Sequence, residues 1–239
     1  DVPWCSLSRC LLVDNGVNIL LRSDELDHES WTKVGCTISP NVVTAAPDGT
    51  LTAESLVEDG STGNHYVEQI VSVDSTAQDI CVAFAVHPMN RALCGVQIRA
   101  VNGSGFVDSI FNLINGAVYS LAATGNMQNA RSFIAPLGDD WWYCCVIGRK
   151  TGPETLFRCI LYAVHDSGTA SYTGSNGLAA LLAWRATAAQ SSVPTRLVKT
   201  TTAATTGTAQ TGSALHIKGG PPNLSGALLP GDQFEVITS

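Results

Sequence analysis

The sequence predicts an all-β protein, a jelly-roll β-sandwich carrying an extended Thr-rich arm and a small C-terminal β-element. Three observations predict it. Short apolar or alternating runs recur roughly every 8–15 residues, separated by turn-forming clusters such as PDGT, EDGSTGN, VNGSG, INGA, ATGN, RKTGPE and SYTGSNG. Helical periodicity is weak throughout, with room for one helical turn at Asp24–Trp31. Hydrophobic residues make up 45% of the chain and charged ones 14%, enough to fill a core and unlike a disordered chain.

Residues 1–16 read as an N-terminal extension, and the sandwich is expected over 17–186. Its candidate strands begin with Val17–Leu21, Trp31–Ile38, Thr50–Glu58, Tyr66–Val73, Ile80–Val86 and Cys94–Val101. Phe106–Leu113, Val118–Ala122, Ala130–Ala135, Trp142–Ile147, Leu156–Val164 and Leu178–Arg185 follow. In PDGT, Pro47 presets φ for a turn and Asp48-Gly49 supplies the reversal. The alternating LTAESLVED after it then shows one face to the core and one to solvent. Past Trp184 the composition shifts. Residues 187–212 are rich in Thr with few large apolar side chains, so they cannot build a core and read as an arm laid on another surface or donated to a neighbour. Residues 213–239 turn apolar again as a short β-element, too small to stand alone.

Charge narrows the function. The formal net charge is -7, and Lys and Arg are scattered without a basic stripe, which argues against nucleic acid as a partner. The acidic groups sit in short clusters such as Asp24, Glu25, Asp27 and Glu29, with His28 among them, the pattern of solvated turns. No apolar run approaches the roughly 20 residues of a membrane span, so no membrane insertion is expected. A surface this sparsely charged favours association with other subunits.

Most of the eight cysteines lie inside apolar runs such as ICVAFAV, WWYCCVIG and LFRCILYAV, where Cys behaves as a small buried hydrophobe. Thiols are expected rather than a disulfide framework, with Cys5 and Cys10 the one pair whose setting suits a bridge. Without a CxxC pair a zinc site is not expected. Five histidines are well separated, and HExxH, GxSxG and a phosphate-binding Gly loop are all absent. Asp139 and Asp140 are adjacent in a turn, which seldom gives the acid and base of a glycosidase. His165-Asp166 reads as a turn at a strand end. The expectation is a protein without catalytic residues or cofactor.

Three segments in order carry a resemblance. They are NILLRSDELDHESWTKVGCTISPNVVTAAPDGTLTAESLVEDGSTGNHYVEQIV, WWYCCVIG, and GTASYTGSNGLAALLAWRATAAQSSVPTRLVKT. Together they resemble the jelly-roll, carbohydrate-binding-module-like domains of tailed-bacteriophage virion proteins. Two departures stand out: LLAWRATAA lacks that family's usual acidic residue, and Cys144 stands where it has Arg. GALLPGDQFEVI resembles short β-modules of other phage virion proteins. The resemblance implies a structural protein of the tail, baseplate, fibre or capsid decoration, made in the host cytoplasm and resident in the virion. Its implied partners are copies of itself, other virion proteins and host surface glycan.

Sugar rings stack their C–H faces on flat aromatics, which makes Trp141, Trp142 and Tyr143 the candidate ligand-binding residues, with Trp31 and Trp184 as further aromatics. Trp141 and Trp142 are adjacent, so on a strand one faces inward and the other outward. The competing reading places one in the core and one at a subunit contact. Modules of the resembled kind often hold a structural calcium, for which Asp59, Asp166 and Asn176 are the candidates, although no DxDxDG pattern supports them.

Overall fold

The computed structural model describes residues 17–206. They form fifteen strands: β1 (Val17–Asn18), β2 (Thr32–Val34), β3 (Cys36–Ser39), β4 (Glu54–Glu58), β5 (Thr62–Ser72), β6 (Gln78–Pro88), β7 (Leu93–Ala100) and β8 (Gly105–Asn112), then β9 (Ala117–Gly125), β10 (Met127–Gly138), β11 (Trp141–Lys150), β12 (Leu156–Val164), β13 (Ser171–Thr173), β14 (Ala179–Ala189) and β15 (Thr205–Thr206). No helix occurs among the described residues. Two antiparallel sheets pack face to face as a β-sandwich. The six-stranded sheet runs β10-β11-β6-β14-β4-β3. The seven-stranded sheet runs β13-β5-β12-β7-β8-β9, with β2 beside β5.

Alternation places the core between them. Leu56, Phe84, Val86, Cys144 and Val146 project from the first sheet onto Val67, Val96, Ile98, Phe111 and Leu161 of the second. The two sheets differ on their outer faces. The apolar runs of β6 and β11 are buried on both sides, because residues 41–53 and the segment after β14 cover the outer face of the six-stranded sheet. Trp141 Nε1 donates to the Ala45 carbonyl at 3.0 Å, the Tyr143 hydroxyl to the Thr195 carbonyl at 2.7 Å, and Trp184 Nε1 to Thr52 Oγ1 at 3.1 Å. A continuous apolar run is what a strand covered on both faces requires. The outer face of the other sheet is mixed, with polar side chains around a small apolar cluster of Leu93, Ile110, Ile160, Tyr162 and Val164.

Several local expectations are revised. The run Trp31–Ile38 splits at Gly35, whose φ of 65° turns the chain from one sheet into the other; a Cβ there would fall 2.5 Å from the Asn64 carbonyl oxygen. Asp24–Trp31 forms no helical turn but successive i→i+3 turns, Glu25 N to Arg22 O, His28 N to Glu25 O and Trp31 N to His28 O. Tyr172, in the predicted loop SYTGSNG, belongs to β13. The first strand stops at Asn18 because its buried side chain replaces the ladder: Nδ2 donates to the Ala186 and Val198 carbonyls, and Oδ1 accepts from the Leu20 and Ala188 amides. β14 runs past residue 186 to Ala189, and the described part of the Thr-rich arm lies on its own sandwich, with Thr195 and Thr200 buried. Residues 1–16, the Cys5–Cys10 pair and the C-terminal β-element lie outside the described residues.

The six described cysteines are buried thiols. Cys144 and Cys145 point to opposite faces, Cys144 meeting Cys94 across the core at 4.0 Å and Cys145 meeting Cys81 at 3.4 Å. Burial raises both adjacent thiols well above the usual range, which makes them packing groups and poor nucleophiles.

Two buried glutamates give the fold a defined pH response. Glu58 resists its own burial because the Arg91 guanidinium, the Ser175 amide and the Tyr172 hydroxyl outweigh it, holding the carboxyl at about 2 against an ordinary 4.5. Burial first and the Asp27 charge second push Glu54 up to about 8. The depressed group contributes stability above pH 4.5 that is lost as pH falls toward 2. The raised group makes the folded state hold an extra proton between 4.5 and 8, so stability declines as pH rises through that window. Urea midpoints are therefore expected to peak near pH 5, and Glu54→Gln is expected to flatten the decline from pH 5 to 8. A midpoint still rising at pH 8 in the wild-type chain would contradict this.

Candidate binding groove

Antiparallel register turns the free face of the seven-stranded sheet into a grid. Across β5, β12, β7 and β8, one row reads Tyr66, Tyr162, Gly95 and Ile110; the next reads Glu68, Ile160, Gln97 and Asp108. A third reads Ile70, Arg158, Arg99 and Phe106. All point away from the core, since their strand neighbours Val67, Leu161, Val96 and Val107 point into it. Between them lies a groove of about 400 Å³, the size of a small-ligand site.

Its floor is apolar and its walls are polar. Ile160 on the floor is almost covered, beside Tyr162, whose ring lies over Gly95. A Cβ at Gly95 would sit 1.8 Å from that ring, so glycine is what lets the tyrosine lie flat. The Tyr162 hydroxyl donates to both Asp108 oxygens, at 2.8 and 2.9 Å, and Gln97 Nε2 donates to Asp108 Oδ1 at 3.1 Å. Burial raises the Asp108 carboxyl above its ordinary value, although these two donors oppose it. Burial, then the Asp108 charge, raises the Tyr162 phenol, so it remains a donor. On the opposite wall Arg158 pairs with Glu68. Tyr66 is half-buried along the rim, and Arg99 is exposed with no ion pair or hydrogen bond among the described residues. The arrangement offers a tyrosine at the rim, a small apolar floor and several hydrogen-bonding groups.

The residues chosen from sequence lie on the other sheet. Trp141 and Tyr143 point outward from the sandwich and are 1% and 2% exposed, roofed by the Ala45 and Thr195 segments. Trp142 points inward at the sandwich rim and is half-buried. Its ring packs on Gly116, where a Cβ would fall 2.3 Å from it, and its Nε1 is buried without a hydrogen-bond partner. Trp141 and Tyr143 therefore present no free stacking face. Trp31 is core, 1% exposed, and Trp184 is covered by the Arg185 guanidinium 4.0 Å from its ring centre.

Of the calcium candidates, Asp59 accepts from the Ser61 amide and hydroxyl, and Asp166 accepts from the Ala92 amide. Among the described residues no group of three or more His, Cys, Asp or Glu side chains is placed to hold a metal ion. A second hollow, of about 350 Å³, is lined by Asp24, Asp27, Glu54 and Lys199. Asp24 there is already paired with Arg185 at 3.3 Å and Lys199 at 3.5 Å.

The groove residues were missed because they come from four strands. Three of the strands do carry a signal, polar groups alternating with apolar ones in HYVEQIV, GVQIRA and FVDSIF, while β12 reads as a nearly continuous apolar run. Only the strand order joins them.

No protein-family model matches the chain, and none of the curated proteins does. Among solved structures, the enzymatically active domain of tailspike protein 4 from bacteriophage CBA120 is similar to it, with 10% identity and a TM-score of 0.40. The match covers 72% of this chain and 21% of that one, so it spans about a fifth of the tailspike chain. The likeness is too distant for any residue's role to be carried across.

Proposed function

We propose that this chain is a non-catalytic structural module of a phage particle, of the jelly-roll, carbohydrate-binding kind, that contacts a host surface glycan through the groove on its seven-stranded sheet. One observation carries the glycan part: the outer face left uncovered holds a sugar-sized groove with a tyrosine rim, an apolar floor and side-chain donors and acceptors. The virion part is supported by the resemblance of the segments between Asn18 and Thr200, and copies of the chain and other virion proteins are its partners there. A binding role is favoured over glycan cleavage by the state of the two groove carboxylates. Glu68 and Asp108 each already have side-chain partners. A glycosidase pairs one carboxyl group as acid with a second as base or nucleophile across the scissile bond. Here the Tyr162 hydroxyl engages both Asp108 oxygens, and Arg158 holds Glu68.

Calorimetric titration with oligosaccharides cut from host surface polysaccharide tests the reading. The wild-type chain is expected to bind without releasing reducing ends. Tyr66→Ala is expected to weaken binding by about tenfold through the lost stacking surface. Trp142→Ala is expected to leave affinity unchanged. Binding that Trp142→Ala abolishes and Tyr66→Ala does not would move the site to the other sheet, and accumulating reducing ends would make the protein an enzyme.

A further inference from the structure

Two guanidinium-bearing residues face each other directly across β7 and β12 at one end of the groove, Arg99 opposite Arg158. Like charges in directly opposed positions destabilise a sheet, and the chain as a whole is acidic, at -7. Only one of the two is compensated. Arg158 takes Glu68. The other carboxylate of the groove, Asp108, stands one row away from Arg99 and is held by the Tyr162 hydroxyl and Gln97. Phe106 and Ile70 complete the row and Val101 lies beside it, none with a charge to offer. The groove's two guanidiniums and two carboxylates balance in formal charge, but Arg99 alone of the four has no ion pair or hydrogen bond among the described residues, and its planar fork matches a carboxylate.

We infer that the groove selects an acidic glycan, placing the carboxylate of a uronic-type sugar on Arg99, with Arg158 beside it, while the ring lies between Tyr66 and the Ile160 floor. The inference rests on the glycan reading above and adds the ligand's charge to it. A neutral sugar would leave Arg99 solvated and without a partner. A carboxylate would gain a charge-assisted contact and relieve their repulsion.

The test uses the full chain and pairs of oligosaccharides from acidic bacterial surface polysaccharides, each uronate-bearing member matched with its carboxyl-reduced, neutral twin. The acidic member is expected to bind at least tenfold tighter than its twin. Arg99→Gln is expected to erase that preference, and the acidic member's affinity is expected to fall as salt rises from about 50 to about 500 mM, from weak to strong screening. Equal binding of the twins, lost in Tyr66→Ala, would overturn the charge preference and leave the groove as the site. Preference for the acid that survives Arg99→Gln would overturn the role of Arg99. Binding of no member of any pair would overturn both this inference and the glycan reading.

Discussion

Replacing Arg91 with alanine is expected to destabilise the fold by about 3–5 kcal/mol, the usual cost of stranding one partner of a buried ion pair. Glu58, at the end of β4, is 1% exposed. It accepts from Arg91 Nε at 2.7 Å and from a terminal Arg91 nitrogen at 2.8 Å, from the Tyr172 hydroxyl at 2.5 Å and from the Ser175 amide at 3.0 Å. Four donors around one carboxylate tie the end of β4 to the turn after β6, to β13 and to the loop before β14. Without Arg91 the charge stays buried with half its donors, and the Tyr172 ring loses the guanidinium 4.9 Å from its centre. Chemical unfolding reads the loss directly. Adding Glu58→Gln to Arg91→Ala is expected to recover part of it, because the uncompensated charge goes. Arg22→Ala, which removes a partly exposed pair with Glu25, is expected to cost under about 1 kcal/mol. An Arg91 variant no less stable than the Arg22 variant would contradict the account.

The second large effect is expected at Lys150, whose side chain is fully buried. Its Nζ donates to the carbonyls of Ser75 at 2.8 Å, Thr76 at 2.7 Å and Gly152 at 2.9 Å. One ammonium thus closes the β5–β6 connection and the β11–β12 turn together, spending all three of its donors. Lys150→Met keeps the apolar stem and leaves three carbonyls without that partner. The expected cost is about 2–4 kcal/mol, given the penalty for each unsatisfied buried group. Both variants would consume a large share of the roughly 5–15 kcal/mol that separates a folded domain from its unfolded chain. Hydrogen exchange would locate the Lys150 effect: faster exchange at residues 73–78 and 150–155 is expected, with the groove strands unaffected.

Fold class was legible because it depends on local pattern. Twelve alternating or apolar runs separated by turn residues all contain strand. What escaped the reading depends on partners distant in sequence. Gly35 looks like any glycine until both sheets exist for it to switch between. Tyr172 sits among loop-forming residues and becomes a strand residue through β5 and Glu58, 114 positions away. The site followed the same division. Aromatic residues in WWYCC were conspicuous, but Trp141 and Tyr143 are claimed by Ala45 and Thr195, segments whose docking no pattern in β11 announces. The groove residues were individually ordinary, one or two polar groups per strand, and acquire meaning only from the order β5-β12-β7-β8.

The central claim is where a glycan binds. Hydrogen–deuterium exchange of the full chain, with and without a saturating acidic surface oligosaccharide, tests it most directly. Protection is expected in β5, β7 and β12 around Tyr66, Arg99 and Arg158, with β10 and β11 unchanged. Protection confined to β10 and β11 around Trp142, or none anywhere at saturation, would contradict it.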